Sequence, residues 1–106
     1  CLVNHDGAFS FEAGYFTTEE LFFMEHEFGG TPFAPEAASE ESPYRKFSPH
    51  TKVAQWKTPT LVIHGAKDYR LCETEGIGTF TALQRQGVPS ELLMFPTENH
   101  WCLNPR

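Results

Sequence analysis

Two residues in the C-terminal half of the chain, Asp68 and His100, have the types and positions that acid–base chemistry requires. Asp68 follows the apolar run Thr60–His64, and His100 follows a second apolar run, Glu91–Phe95. A carboxylate can fix the tautomer of a histidine and stabilise its imidazolium, while the histidine takes up and returns a proton. The separation of 32 residues leaves room for one helix and one strand. The pattern predicts the acid and the base of a nucleophilic triad.

The nucleophile of such a triad has no counterpart in this sequence. An α/β-hydrolase carries its triad in the chain order Ser, then Asp or Glu, then His, with the serine in a Gly-x-Ser-x-Gly elbow. No such elbow occurs in the 106 residues. We therefore interpret the chain as part of a catalytic domain whose nucleophile-bearing part is absent. A purely structural role of Asp68 and His100 stays open, because Asp caps helices and His is common in turns.

The segments around these residues alternate between strand and helix. Residues 1–3 are predicted to end a buried strand, Thr60–His64 to form a strand buried on both faces, and Glu91–Phe95 to form a third. A helix over about 73–86, stopped by Gly87, joins the last two strands. Repeated strand–helix units imply a parallel sheet with right-handed crossovers. The predicted fold class is α/β, the C-terminal part of an α/β-hydrolase fold: a parallel sheet with flanking helices.

The remaining segments give weaker signals. An N-cap at Thr17 or Thr18 predicts a helix with glutamates in its first turn, ending at a Gly-Gly pair. Residues 9–16 are predicted to be a loop dense in aromatic side chains. Residues 31–50, rich in Pro, Ser, Glu and Ala, are predicted to be a surface excursion that holds at most a short helix. Residues 103–105 are predicted to begin another helix.

Several segments together resemble one known family. Pro59–Leu71 (PTLVIHGAKDYRL) is similar to the acid-bearing segment of the prolyl oligopeptidase family of serine peptidases. Leu83–Leu92 resembles the helix-to-strand connection that follows it, and Phe95–Trp101 (FPTENHW) resembles the histidine loop. Within this family, Asn-His-Trp resembles the fungal dipeptidyl-peptidase V group, as do Asn4–Gly7 and Thr18–Met24. The resemblance covers most of the chain, with the Pro-rich excursion as its weakest part.

This resemblance implies a parent enzyme with an N-terminal β-propeller and a C-terminal α/β-hydrolase domain. Residues 1–106 would be a partial catalytic domain that lacks both the propeller and the nucleophile-bearing part. The implied activity is that of a secreted serine exopeptidase that releases dipeptides from peptide N-termini without a cofactor. Asp68 and His100 would be catalytic. The implied partners are a peptide substrate, the rest of the catalytic domain and the propeller.

The resemblance also suggests substrate-binding residues. Phe9, Phe11 and Tyr15 follow a strand end, and in the family this region contributes to the pocket for the residue before the scissile bond, as does the position of Leu71. The functional interpretation is an apolar wall, and the alternative is an ordinary aromatic core. Arg70 is predicted either to hold a substrate carbonyl or to pair with a nearby carboxylate.

The cysteines leave one question open, and their spacing matches no zinc pattern. Three are present, Cys1, Cys72 and Cys102, with no Cys-x-x-Cys zinc pattern, so no metal site is predicted. If Asp68 and His100 meet, Cys72 and Cys102 come into one neighbourhood, either as separate thiols or as a disulfide. Cys72 also departs from the family, which usually has Pro after the residue that matches Leu71.

Charge and hydropathy limit the remaining alternatives. The formal net charge of −6 argues against a nucleic-acid or anionic-membrane partner, and no apolar run approaches the roughly 20 residues that cross a bilayer. Other interpretations are an inert antigenic or binding fragment, part of another α/β-hydrolase such as an esterase or lipase, or a metal or redox module built on Cys72, His100 and Cys102.

Overall fold

The computed structural model describes residues 1–104 and contains one parallel sheet. Its strands are β1 (Leu2–His5), β2 (Thr60–Gly65) and β3 (Ser90–Phe95), in the order β1-β2-β3. The helices are α1 (Phe11–Tyr15), α2 (Leu21–Phe28), α3 (Pro43–Lys46) and α4 (Glu73–Arg85), with 3₁₀ segments at Pro35–Ala38 and Pro49–Gln55. The predicted α/β fold class, a parallel sheet with flanking helices, is confirmed.

The core beside the sheet lies between β2 and α4. Val62 of β2 is fully buried and forms a cluster with Leu83 of α4 and with Val88. On the opposite face of β2, Leu61 and Ile63 stay half-buried. Side chains alternate between the two faces of a strand, and α4 lies against only one of them. The prediction that β2 is buried on both faces is therefore wrong for the described residues.

Helix α4 begins and ends close to its predicted bounds. Cys72 is its N-cap residue, with φ −51° and ψ 149°. This φ lies within the range of a proline ring, so a proline would fit the backbone φ at this position. Gly87 follows the helix with φ 70°, a left-handed conformation that glycine adopts without steric cost. Beyond Trp101, Leu103 and Asn104 are not helical, and the rest of the predicted final helix lies outside the described residues.

Helix α2 begins later than its sequence predicts. Its N-cap residue is Glu20 and not Thr17 or Thr18. The hydroxyl of Thr18 instead accepts a hydrogen bond from the N–H of Glu20 at 3.3 Å. The N–H of Glu19 donates to the carbonyl of Tyr69 at 2.8 Å, and this contact ties Glu19 to the Asp68 loop ahead of the helix.

The segment between β1 and α2, predicted to be a loop, contains the short helix α1. Ser10 is its N-cap residue, and the Ser10 hydroxyl accepts the N–H of Ala13 at 3.3 Å. A serine before a helical turn is an ordinary N-cap signal. The high density of aromatic residues obscured that signal.

The Pro-rich segment is more firmly packed than predicted. Tyr44 is 1% exposed and forms a core cluster with Tyr15 and Met24. The Tyr44 hydroxyl donates to the carbonyl of Gly30 at 2.9 Å, and the Ser48 hydroxyl accepts the N–H of Phe11 at 2.9 Å. These contacts tie the excursion to α1 and to the end of α2.

No helix within residues 1–104 has the length and apolar character that a membrane-spanning segment needs.

Candidate active site

The carboxylate of Asp68 is completely shielded from solvent and fixed by three donors. Its Oδ1 accepts the backbone N–H groups of Arg70 and Leu71, both at 2.9 Å. Its Oδ2 lies 2.8 Å from Nδ1 of His100. Backbone donors hold one oxygen, so the other is aimed at the imidazole. A carboxylate accepts only, so Nδ1 carries the proton in this contact.

The loops that carry Asp68 and His100 approach closely because Gly65 lies between them. A Cβ atom on Gly65 would lie 2.7 Å from the carbonyl oxygens of both Glu98 and Asn99. The N–H of Lys67 also donates to the carbonyl of Glu98 at 2.9 Å. A side chain at position 65 would separate the two loops, so the glycine of the His-Gly pair contributes directly to the meeting of Asp68 and His100.

The imidazole of His100 faces a small cavity of about 180 Å³. Its side chain is 29% exposed. With Nδ1 protonated towards Asp68, neutral His100 presents the lone pair of Nε2, which has no hydrogen-bond partner among residues 1–104. The other residues that line this cavity are Glu19, Lys67, Tyr69, Arg70, Asn99 and Trp101. The arrangement can accept a proton from a group that enters the cavity.

A second histidine packs behind Asp68. His64 is fully buried, and its Nε2 donates to the carbonyl of Leu71 at 2.8 Å while lying 3.6 Å from Oδ2 of Asp68. Its Nδ1 has no hydrogen-bond partner, and the nearest carboxylate oxygen, Oδ1 of Asp6, is 3.8 Å away. His64 therefore supports the turn that presents two N–H groups to Asp68.

The structure places the predicted apolar wall mainly in the core. Phe9 packs against Gly78 of α4 and edge-on against Trp56. Phe11, Tyr15 and Leu71 belong to the cluster that contains Tyr44, and Tyr15 donates from its hydroxyl to Glu25 at 2.8 Å. Their role in substrate binding stays a prediction, because among the described residues none of the four lines the cavity beside His100.

Arg70 does line that cavity, and it forms an ion pair. Its Nε donates to Glu19 at 2.8 Å and its Nη2 to Glu20 at 2.6 Å. The guanidinium also lies 5.3 Å from the ring centroid of Phe23. The hydrogen bond to Glu19 raises the pKa of Arg70. Of the two predicted roles of Arg70, the structure contains the pairing with a carboxylate.

No disulfide joins Cys72 and Cys102. All three cysteines are free. Cys102 lies 3.4 Å from Nε2 of His5 and 3.9 Å from Oδ2 of Asp6, whereas Cys72 caps α4. Burial raises the pKa of the Cys102 thiol, and the nearby Asp6 adds to the rise.

Two buried carboxylates were not identified from the sequence as parts of the site. Asp6 is 5% exposed and accepts the N–H of Gly65 at 3.0 Å, which joins the carboxyl ends of β1 and β2. Glu98 is 5% exposed and accepts the side-chain amide of Asn104 at 2.6 Å, which holds the end of the histidine loop. The Asp-Gly turn after β1 was the available signal for Asp6. Glu98 gave no sequence signal beyond its place two residues before His100.

A parallel sheet that presents a buried Asp and a His from the carboxyl ends of adjacent strands defines the C-terminal part of an α/β-hydrolase. The sequence profile of the prolyl oligopeptidase family matches residues 1–106. The chain belongs to this family.

Relatives of known name support the same assignment. The chain is 48% identical over 104 residues to dipeptidyl-peptidase 5 of Schizosaccharomyces pombe, covering 98% of this chain and 14% of that protein. It is 42% identical over 106 residues to dipeptidyl-peptidase 5 of Porphyromonas endodontalis, covering 100% of this chain and 15% of that protein. The chain thus spans about one seventh of the length of these relatives.

A solved structure is similar in fold. The acylaminoacyl peptidase of Pyrococcus horikoshii superposes with a TM-score of 0.76 at 22% identity, over 92% of this chain and 15% of that one. At this identity the similarity establishes the fold alone.

Proposed function

We propose that this chain supplies the acid and the base of a Ser-His-Asp triad in a serine peptidase that releases dipeptides from peptide N-termini. The observation that carries the proposal is the 2.8 Å contact between Oδ2 of Asp68 and Nδ1 of His100. With the proton on Nδ1, the unprotonated Nε2 of the imidazole faces a cavity. A general base needs this tautomer. The serine belongs to a part of the catalytic domain outside these 106 residues.

The proposed roles follow the geometry. Nε2 of His100 takes the proton of the serine hydroxyl while the serine oxygen attacks the substrate carbonyl, and the imidazolium then gives that proton to the leaving amine. Asp68 keeps its charge and stabilises the imidazolium. The backbone N–H groups of Arg70 and Leu71 keep Asp68 in position through both proton transfers.

The open edge of β1 is the proposed docking site for the rest of the catalytic domain. Leu2 and Val3 are 59% and 63% exposed. A cleft of about 520 Å³ beside them is lined partly by Trp56 and Leu83. An apolar edge strand favours pairing with a further strand. A nucleophile at the carboxyl end of that further strand would lie at the same end of the sheet as His100. We propose that residues 1–106 form one part of that domain and that a β-propeller precedes it in the whole protein.

Dipeptide release is proposed because two relatives, at 48% and 42% identity, carry the name dipeptidyl-peptidase 5. An α/β-hydrolase that acts on acylated amino acids or esters is the competing function, and the solved acylaminoacyl peptidases share only the fold. Hydrolysis rates of dipeptidyl, N-acyl-aminoacyl and simple ester derivatives of one fluorogenic leaving group separate these functions. We expect the dipeptidyl derivative with a free α-amino group to react fastest.

The triad itself is tested by labelling the full-length protein with a fluorophosphonate. The probe should label the wild type, and His100→Gln should lose labelling, because no base then activates the serine. His26→Gln is the matched control, since His26 is an exposed histidine on α2. Equal labelling of the wild type and of His100→Gln would disprove the triad assignment. Absence of labelling in the wild type would support the alternative of an inert protein.

Arg70 is proposed to orient the substrate as well as to pair with Glu19 and Glu20. A lysine cannot reproduce the forked contact with two acceptors. Arg70→Lys should raise KM about fivefold to tenfold with little change in kcat, equivalent to about one charge-assisted hydrogen bond. Glu19→Gln, which keeps the arginine, is the control and should change KM much less. An unchanged KM in Arg70→Lys would leave the ion pair as the role of this residue.

Secretion of the whole protein is proposed from the family resemblance alone. Immunodetection in the culture medium and in the cell lysate of the producing organism tests it.

A further inference from the structure

Three potential metal-binding side chains converge where β1 ends beside the histidine loop. Nε2 of His5 lies 3.2 Å from Oδ2 of Asp6 and 3.4 Å from Sγ of Cys102. Sγ of Cys102 lies 3.9 Å from the same Oδ2. His5 and Cys102 are 97 residues apart in the sequence, so the fold alone brings this nitrogen, oxygen and sulfur together.

From this cluster we infer a binding site for one Zn²⁺-like cation, with His5, Asp6 and Cys102 as its protein ligands. Zinc bonds of about 2.0–2.3 Å in tetrahedral geometry place their ligand atoms roughly 3.3–3.6 Å apart. The 3.2 Å and 3.4 Å separations from Nε2 of His5 match this range to within about 0.1 Å. The 3.9 Å separation between Sγ of Cys102 and Oδ2 of Asp6 enters the range after a side-chain shift of a few tenths of an ångström. A water molecule would complete the coordination.

The ligand types select the metal. Thiolate and imidazole prefer Zn²⁺ and similar borderline cations, whereas Mg²⁺ and Ca²⁺ prefer sites made of oxygen atoms. Asp6 is oriented for the task, because its Oδ1 accepts the N–H of Gly65 at 3.0 Å and its Oδ2 is thereby directed at His5 and Cys102. Such hydrogen bonds to a ligating carboxylate fix the geometry of a metal site. The half-exposed side chain of His5 leaves a path for the ion.

Two of these residues hold unusual backbone conformations. Asp6 and Cys102 have φ of 48° and 46°, and they are the two residues other than glycine with positive φ within residues 1–104. Left-handed backbone in such residues costs free energy and tends to occur at functional sites. Here both positions direct their side chains to the same point.

The site adjoins the proposed catalytic base without including it. Cys102 follows His100 by two residues, and the N–H of Cys102 donates to the carbonyl of Asn99 at 3.3 Å. An ion bound by Cys102 and by the end of β1 would tie the histidine loop, which follows β3, to β1 at the other edge of the sheet. Occupancy would thus restrict the loop that positions His100.

The first test is a titration of the full-length protein with Co²⁺, whose bond to a thiolate gives a charge-transfer absorption. We expect one strongly bound Co²⁺ per chain, with that absorption, and displacement by Zn²⁺. Cys102→Ser should abolish the absorption, and His5→Gln should weaken binding about 10- to 100-fold or more. Cys72→Ser is the matched control, because it removes a thiol outside the cluster, and it should behave as the wild type.

The second test needs no variant. Zn²⁺ should slow alkylation of Cys102 by iodoacetamide, measured by peptide mass spectrometry, and leave alkylation of Cys72 unchanged. The inference is overturned if wild type shows no thiolate-to-cobalt absorption, if Cys102→Ser keeps it, or if Zn²⁺ leaves the labelling of Cys102 unaffected.

Discussion

Oε2 of Glu75 accepts a hydrogen bond from the backbone N–H of Phe9 at 2.7 Å, across 66 residues of sequence. The same oxygen accepts the N–H of Ser10 at 2.7 Å. Glu75 lies in the first turn of α4 and is 3% exposed. One buried carboxylate therefore fixes the segment that follows β1 against the helix that follows the Asp68 loop.

Loss of this carboxylate should destabilise the protein. Glu75→Gln retains one acceptor oxygen but lacks the charge, and we expect a cost of about 1–3 kcal/mol because two part-buried N–H groups lose their charged partner. The midpoint of heat inactivation of the full-length protein should fall. Glu73→Gln is the matched control, since Glu73 lies in the same helical turn and contributes equally to the helix dipole. Equal shifts in the two variants would show that the dipole, and not the contact with Phe9, is responsible.

The packing of α4 on β2 requires a glycine at position 76. A Cβ atom there would lie 2.7 Å from Nδ1 of His64, which is fully buried. Gly76→Ala should therefore destabilise by about 1–3 kcal/mol through overpacking, although alanine by itself favours a helix by about 1 kcal/mol. Displacement of His64 should also lower kcat by disturbing the turn at Leu71. Thr81→Ala, on an exposed side of α4, is the control, and thermal unfolding with kcat measures both effects. A stabilised Gly76→Ala variant would contradict the packing argument.

The tautomer of His100 should depend on Asp68. In Asp68→Asn the amide oxygen can still accept the N–H groups of Arg70 and Leu71, which turns the amide NH₂ towards Nδ1 of His100. Nδ1 must then accept, the proton moves to Nε2, and the base is lost. We expect kcat of the full-length enzyme to fall about 10⁴-fold with KM almost unchanged, the size known for this change in a serine protease. Turnover within tenfold of wild type would assign Asp68 a structural role.

The buried phenol of Tyr44 should make the fold sensitive to alkali. Burial raises the pKa of Tyr44 from 10.0 to about 12, and the nearby Tyr15 and Glu25 add to the rise. The folded state thus favours the protonated phenol. The stabilisation of the folded state by the protonated Tyr44 phenol is complete below pH 10 and is lost as the pH rises towards 12. Ultraviolet absorbance of phenolate against pH should show this late titration, and Tyr44→Phe should remove it. Titration of all phenols as one group near pH 10 would contradict the burial of Tyr44.

Local patterns in the sequence were sufficient for the elements that carry the proposed catalytic pair. The apolar run before Gly65 predicted β2, and Gly87 predicted the end of α4. The meeting of Asp68 and His100 followed from one rule, that the carboxyl ends of neighbouring parallel strands lie at the same edge of a sheet. The sequence therefore determined the fold class and predicted that Asp68 and His100 meet, because each depends on short segments and on a general rule of topology. The proposed catalytic role of the pair came from the family resemblance.

The tertiary structure decided which polar and aromatic residues from distant parts of the sequence contact these strands and helices. The sequence could not distinguish an aromatic wall from an aromatic core at Tyr15, since both need the same side chains. Tyr15 packs edge-on against Tyr44, and its role in substrate binding stays a prediction. The contacts of Glu75 with Phe9 and of His5 with Cys102 join residues 66 and 97 positions apart. Such contacts are set by how the chain crosses over between parallel strands. No local periodicity records them, because their free energy arises only after the sheet and α4 have assembled.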